Sequence, residues 1–174
     1  MSVAAGVSVC GMGQASATDP LPSGPFTMKA GKRVDCTGMG VDQGDATKEI
    51  KLVHLDCDTS DKGVQWIAVR LEGGQINLRN GLGKCISWSL DRYSEEELND
   101  TEAHVAPPAR YEPNDCDQAA KFTAKPISEG VVVFLDTGKD NSEKYLMRDI
   151  RNTIDRGPAD YAHSESYQWN IVAV

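Results

Sequence analysis

The chain has 174 residues, with 18 Lys and Arg against 26 Asp and Glu, a formal charge of −8 and a pI near 4.8. That balance excludes a nucleic-acid backbone or an anionic membrane surface as the main partner, because both demand a basic face. Apolar residues at 40% and charged residues at 25% are ordinary for one globular domain, and no apolar run approaches the ~20 residues of a membrane helix.

Residues 1–17, MSVAAGVSVCGMGQASA, carry no charge and end in Ala15-Ser16-Ala17. That ending has the small-x-small form of a signal-peptidase site, although the positive leader of a signal peptide is missing. The segment reads as a signal-peptide remnant, with a disordered tail as the plainer alternative and a lipidated Cys10 as a third. Cleavage after Ala17 removes Cys10 and leaves Cys36, Cys57, Cys85 and Cys116. An even number of cysteines in an exported domain implies disulfides and a secreted, extracellular location. Four cysteines allow three pairings, and counting does not choose among them.

Residues 18–25 follow, with Pro20, Leu21, Pro22 and Pro25. Three prolines in so short a stretch forbid a helix and favour an extended path. The segment is expected to be a flexible tail outside the core, able to lie in a groove of a partner protein.

From Phe26 onward helical periodicity is almost absent. Short alternating runs predict strands at Ile50 to Leu55, Trp66 to Leu71, Gln75 to Leu78, Lys84 to Trp88, Val131 to Leu135 and Trp169 to Val174. Many short strands with polar turns predict an all-β sandwich or barrel. Ser94 to Leu98 has the form of a capping box, with Ser94 as cap and Glu97 reaching back. It lies in an acidic loop over 91–115 that also holds Glu96, Pro107, Pro108 and Pro113. The plain reading of that loop is a solvated insertion; the functional one is a partner contact through Glu96 and Pro107.

Three aromatics close three similar stretches: Trp66 in VQWIAV, Phe122 in QAAKFTAKPI and Trp169 in YQWNIVAV. Each unit reads strand, turn, strand with a Cys or Leu, loop, strand, aromatic. With Gly83-Lys84-Cys85-Ile86, this resembles the ricin B-type β-trefoil family over about residues 26–174. The resemblance implies an all-β trefoil of three pseudo-repeats, with Trp66, Phe122 and Trp169 in a shared core. It also implies disulfides within repeats, Cys36–Cys57 and Cys85–Cys116, with Leu146 where a cysteine of the third unit would sit.

In that family a sugar site uses an Asp shortly after the first cysteine and an aromatic ring that stacks on the sugar. Here Cys36 is followed by Thr37-Gly38, and Cys85 by Ile86-Ser87. One degenerate site is left to consider, with Asp149 of the third unit as hydrogen-bonding acid, Tyr161 as stacking ring and Trp88 as an exposed aromatic. The plainer reading makes Arg148 and Asp149 a surface ion pair or turn. The chain is also similar to the ricin-like binding subunits of cytolethal distending toxins, which implies a protein-interaction adaptor or targeting subunit of a secreted complex.

Other chemistry is weaker. Gly83-Lys84 precedes Cys85 where a phosphate loop needs Ser or Thr, and position 78 is Leu. Asp56, Asp58, Ser60 and Asp61 resemble a calcium loop, but Asp61 replaces the required Gly and Ile67 the required Glu. His54, His104 and His163 share no ligand spacing. Asn99-Asp100-Thr101 is a glycosylation sequon only in a suitable host. No catalytic residue, cofactor or metal is expected. Two rivals to the adaptor stand: a lectin with one site in the third unit, and a trefoil protease inhibitor.

Overall fold

The computed structural model describes residues 19–41, 50–89, 110–137, 144–148, 154–158 and 164–174. Strands carry more than half of this: β1 Phe26–Ala30, β2 Cys36–Val41, β3 Ile50–Leu55, β4 Trp66–Arg70, β5 Ile76–Asn80, β6 Cys85–Ser89, β7 Arg110–Asn114, β8 Phe122–Ser128, β9 Val131–Asp136, β10 Lys144–Arg148, β11 Ile154–Pro158 and β12 Trp169–Ala173. Short 3-10 turns occur at 72–74, 116–118 and 165–167.

Six strands close a barrel. Around it β1 pairs with β12, β12 with β9, β9 with β8, β8 with β5, β5 with β4, and β4 returns to β1. Closure removes the free edges that an open sheet would expose. The remaining strands form three antiparallel hairpins, β2–β3, β6–β7 and β10–β11.

The barrel strands alternate because one face is buried and the other is not. Phe26 and Met28, Ile76 and Leu78, and Val132 and Phe134 point into one core. Trp66, Phe122 and Trp169 are fully buried there. Each sits in the same setting. On one side Trp66 faces Phe26, Phe122 faces Ile76 and Trp169 faces Val132. On the other they face Asn80, Asp136 and Ala30 in the same order. The ring edges are satisfied too. Trp66 Nε1 donates to Thr37 O at 2.7 Å and Trp169 Nε1 to Leu146 O at 3.1 Å, which removes the cost of burying an indole N–H.

Disulfides join Cys36 to Cys57 and Cys85 to Cys116. Each ties the start of a hairpin to the residues just after it. Cys36 faces Leu55, Cys85 faces Asn114 and, in the third hairpin, Tyr145 faces Gly157. Tyr145, not Leu146, therefore takes the cysteine position of the third unit. Leu146 is the counterpart of Thr37, as the two indole hydrogen bonds also require.

The proline-rich segment departs from expectation. Leu21 is only 5% exposed and belongs to the main core. Its N–H donates to Asp19 Oδ1 at 3.0 Å. Arg70 of β4 clamps the segment from outside, donating to Leu21 O at 3.3 Å and Pro22 O at 3.4 Å and pairing with Asp19 at 2.7 Å. Prolines supply no N–H to a strand ladder, and the clamp holds the segment through its carbonyls instead. Residues 19–25 are thus part of the domain, and Leu21 is not available to a partner.

Candidate functional site

The sequence nominated two kinds of site. Of the partner-binding set, Pro20 and Pro22 are half-buried and Pro25 is exposed. Glu96 and Pro107, with the capping-box segment, lie outside the described residues. So do Asp149 and Tyr161 of the sugar set, and of Trp88 only the backbone is described, facing Tyr111 across the β6–β7 hairpin.

The hairpin registers align the residues that shortly follow the cysteine in each unit, here the position two residues on. It is Gly38 in the first unit, Ser87 in the second and Met147 in the third, because Tyr145 holds the cysteine position. Each is absorbed by the protein's own packing. A Cβ on Gly38 would fall 2.4 Å from Gly63 O, so no side chain fits there. Ser87 is buried and bridges to Ala119. Met147 packs over Gly157 with the Tyr167 ring, in a small cluster with Val133, Tyr145 and Leu135.

The acidic turn after β3 is spent on itself. Asp58 Oδ1 accepts from the Ser60 N–H at 2.9 Å and from its hydroxyl at 2.7 Å, and Asp61 Oδ1 accepts from the Gly63 N–H at 2.7 Å. The Ser60 hydroxyl and N–H hold the Asp58 carboxyl below its ordinary value. Among the described residues no group of three His, Cys, Asp or Glu is arranged to hold a metal.

A different cluster emerges where the first and third units meet. Arg148, read from sequence as a surface ion-pair residue, is buried, with its side chain 3% exposed. Its Nη2 donates to Asp35 Oδ2 at 2.9 Å. His54 Nδ1 approaches the same Asp35 oxygen at 3.5 Å. The Arg148 hydrogen bond is the main reason that the Asp35 carboxyl lies below its ordinary value, against the partial burial that opposes it. On the solvent side Arg148 lines a cavity of about 280 Å³ with Ala30, Gly31, Lys32, Arg33, Glu165 and Ser166. Lys32 and Glu165 pair across its mouth at 2.5 Å, and that pairing raises the Lys32 ammonium above its ordinary value.

Local sequence builds this cavity. Gly31 turns the chain at φ +51, and a Cβ there would lie 2.7 Å from Glu165 O. Glycine therefore lets the β1–β2 turn press against the 165–167 turn. Gly31 N–H donates to Gln168 O at 2.8 Å, and Asn170 Nδ2 donates to Gly31 O. No motif in the sequence marks these residues. The pair Lys32-Arg33, Arg148 and Glu165 lie far apart in sequence, and the closing of β12 on β1 brings the β1–β2 turn to the 165–167 turn.

No protein-family model and no curated protein matches the sequence. Solved structures do. A ricin B-like lectin of Macrolepiota procera in complex with lactose aligns with TM-score 0.59 and 9% identity, covering 87% of this chain and 96% of the lectin. A designed three-fold symmetric protein, ThreeFoil, aligns at 0.58 and 13%, covering 86% and 99%. The fold is a β-trefoil. A chain of the Haemophilus ducreyi cytolethal distending toxin aligns at 0.51 and 14%, covering 92% of this trefoil and 93% of that chain. At these identities the likeness is one of fold.

Proposed function

We propose that this trefoil is a secreted, non-catalytic binding module that works through protein contacts, as an adaptor or targeting subunit of a secreted complex. The observation that carries this reading is the fate of the three positions that shortly follow the cysteine position of each unit, where the resemblance expects a sugar-binding acid. Gly38 has no room for a side chain, Ser87 is buried and half-buried Met147 packs over Gly157 beside Tyr167. A scaffold that fills those positions with its own packing keeps its surface for other work. Two disulfides closing hairpins suit an oxidising compartment, and the similarity to a toxin chain fits a subunit role.

The contact surface we favour lies where the barrel's two ends meet. Val172 and Val174 are each 52% exposed, and exposed Pro25 adjoins them through the Val174 N–H to Pro25 O hydrogen bond at 3.0 Å. Pro20 and Pro22 beside the Arg70 clamp, and Glu96 and Pro107 of the acidic loop, complete the proposed partner set. Capture from the source organism's culture medium tests it. Wild-type bait should retain one secreted protein that Val172→Lys/Val174→Lys bait does not. Equal retention by both baits removes this surface from the account.

A lectin is the second reading, favoured by the lactose-bound neighbour. It places the sugar at Asp149 with Tyr161 and Trp88. Glycan-array binding that survives Asp149→Ala unchanged would dispose of it.

A further inference from the structure

Asn80-Gly81 is the one Asn-Gly pair in the sequence. Such a pair is chemically labile, because glycine has no Cβ to hinder its backbone nitrogen from attacking the preceding asparagine side chain. The fold uses both residues. Asn80 Nδ2 ties the end of β5 to the 61–65 turn, donating to Gly63 O at 2.8 Å and to Gln65 O at 3.0 Å. A Cβ on Gly81 would lie 2.5 Å from Lys62 O, so no other residue fits there. The labile pair is kept, and the structure closes it. Asn80 is 1% exposed, and its Oδ1 accepts from the Leu82 N–H at 3.1 Å. The attacking group is held as well, since the Gly81 N–H donates to Gln65 O at 2.9 Å.

We propose that Asn80-Gly81 is a latent deamidation site, closed in the folded trefoil, opened when the 61–65 turn lifts away, and unable to close again once it has reacted. With the turn lifted, solvent hydroxide removes the Gly81 amide proton and the nitrogen bonds to Asn80 Cγ. The Cγ–Nδ2 bond breaks, the nitrogen takes a proton from water and leaves as ammonia, and a succinimide ring remains. Water opens the ring at either carbonyl, giving aspartate or isoaspartate at position 80. The net change consumes water, releases ammonia and needs no oxidant. Neither product fits the closed structure. In the aspartate an oxygen takes the place of Nδ2 and meets Gly63 O and Gln65 O, so a buried charge faces two acceptors. The second unit shows what a carboxylate needs at this place. Asp136 faces Phe122 as Asn80 faces Trp66, and it accepts from the Tyr111 hydroxyl at 2.7 Å. The isoaspartate lengthens the main chain inside a turn closed by Asn80 N–H to Lys84 O at 2.7 Å and Gly83 N–H to Asn80 O at 2.8 Å.

The reaction needs no partner, so its test is separate from the capture that reads the protein surface. The full chain, disulfides intact, is held in mildly alkaline buffer with and without guanidinium chloride. Peptide mapping resolves asparagine, aspartate and isoaspartate at position 80. Deamidation should be at least about a hundredfold slower in the folded protein, since it waits for a rarely populated open state. Rates within about threefold of each other overturn the proposal. Asp61→Ala deletes an exposed side chain whose Oδ1 accepts from the Gly63 N–H at 2.7 Å. The folded variant should deamidate about tenfold faster, as expected for losing a hydrogen bond to a charged group. An unchanged rate there overturns the role of the turn. Asn80→Asp builds one product directly. Its guanidinium midpoint in the same buffer should lie below that of Asn80→Ala, which loses the same hydrogen bonds without gaining a charge. A midpoint at or above that of Asn80→Ala overturns the one-way step.

Discussion

Leu21 offers the sharpest test of how the amino-terminal segment is used. Leu21→Ala removes a side chain that is 5% exposed within the main core. Burial loss and the cavity left behind cost Leu→Ala substitutions about 2–5 kcal/mol in packed cores. Leu21 sits where the chain enters the core, so the segment can settle and the lower end, about 2–3 kcal/mol, applies. For a domain of this size each kcal/mol moves the melting temperature by about 2–4 °C, which gives a fall of roughly 5–10 °C. Arg70→Ala is the control. Its pair with Asp19 joins side chains 40% and 50% exposed, and exposed pairs are worth less than about 1 kcal/mol. Thermal unfolding followed by near-ultraviolet circular dichroism reads both variants. Leu21→Ala should be the more damaging by several degrees, and Leu21→Met should restore most of the loss. A Leu21→Ala protein melting within a degree of wild type, or above Arg70→Ala, would refute the placement of this segment in the core.

Three further outcomes follow from the same geometry. Loss of Cys85–Cys116 by double Ala substitution should cost about 3.7 kcal/mol and loss of Cys36–Cys57 about 3.3 kcal/mol on a chain-entropy model, given separations of 31 and 21 residues; urea denaturation gives both values, and a difference of several kcal/mol between them would speak against that origin. Asp35 titrates below its ordinary value when folded because Arg148 donates to it, so its stabilisation is full above about pH 4 and is lost as pH falls through the depressed value. Urea midpoints at pH 6 and pH 3 should therefore diverge less in Asp35→Asn than in wild type, and an unchanged divergence would show that the pair contributes nothing. Gly157→Ala forces a Cβ to within 2.0 Å of the Tyr167 hydroxyl and 2.5 Å of Met147 Sδ. It should destabilise by about 1–3 kcal/mol or more, with partial relief in Gly157→Ala/Tyr167→Phe.

Much of the barrel was legible because its strands obey alternation. The run Ile50 to Leu55 is β3 to the residue, and the strands read at 66–71, 75–78, 84–88, 131–135 and 169–174 differ from β4, β5, β6, β9 and β12 only at their ends. The three aromatics were legible as core for the same reason: each closes a unit that cannot bury its own apolar face. β1, β8 and β10 were not read as strands, and neither were β2, β7 and β11, where CTGMGV, RYEPN and IDRGP contain the glycines and prolines that ordinarily stop one. The last three lie in the hairpins outside the barrel, where a missing N–H or side chain is tolerated. In the hairpins such a glycine does specific work, as Gly38 does against Gly63 and Gly157 against Tyr167. Leu21 was misjudged because proline content reports local backbone preference and says nothing of whether a neighbouring side chain reaches the core. The Arg148–Asp35 pair spans 113 residues of sequence, and no local pattern encodes a contact made only by barrel closure.

The central claim, that this trefoil works by gripping a protein, is tested most directly by native capture under sugar competition. The tagged full chain is recovered from the source organism's culture medium with and without excess lactose and glucose, and the eluate is sized by light scattering. The account predicts one secreted protein in fixed stoichiometry, retained in the presence of both sugars. Recovery of the bare chain, or of glycoproteins that the sugars release, would contradict it.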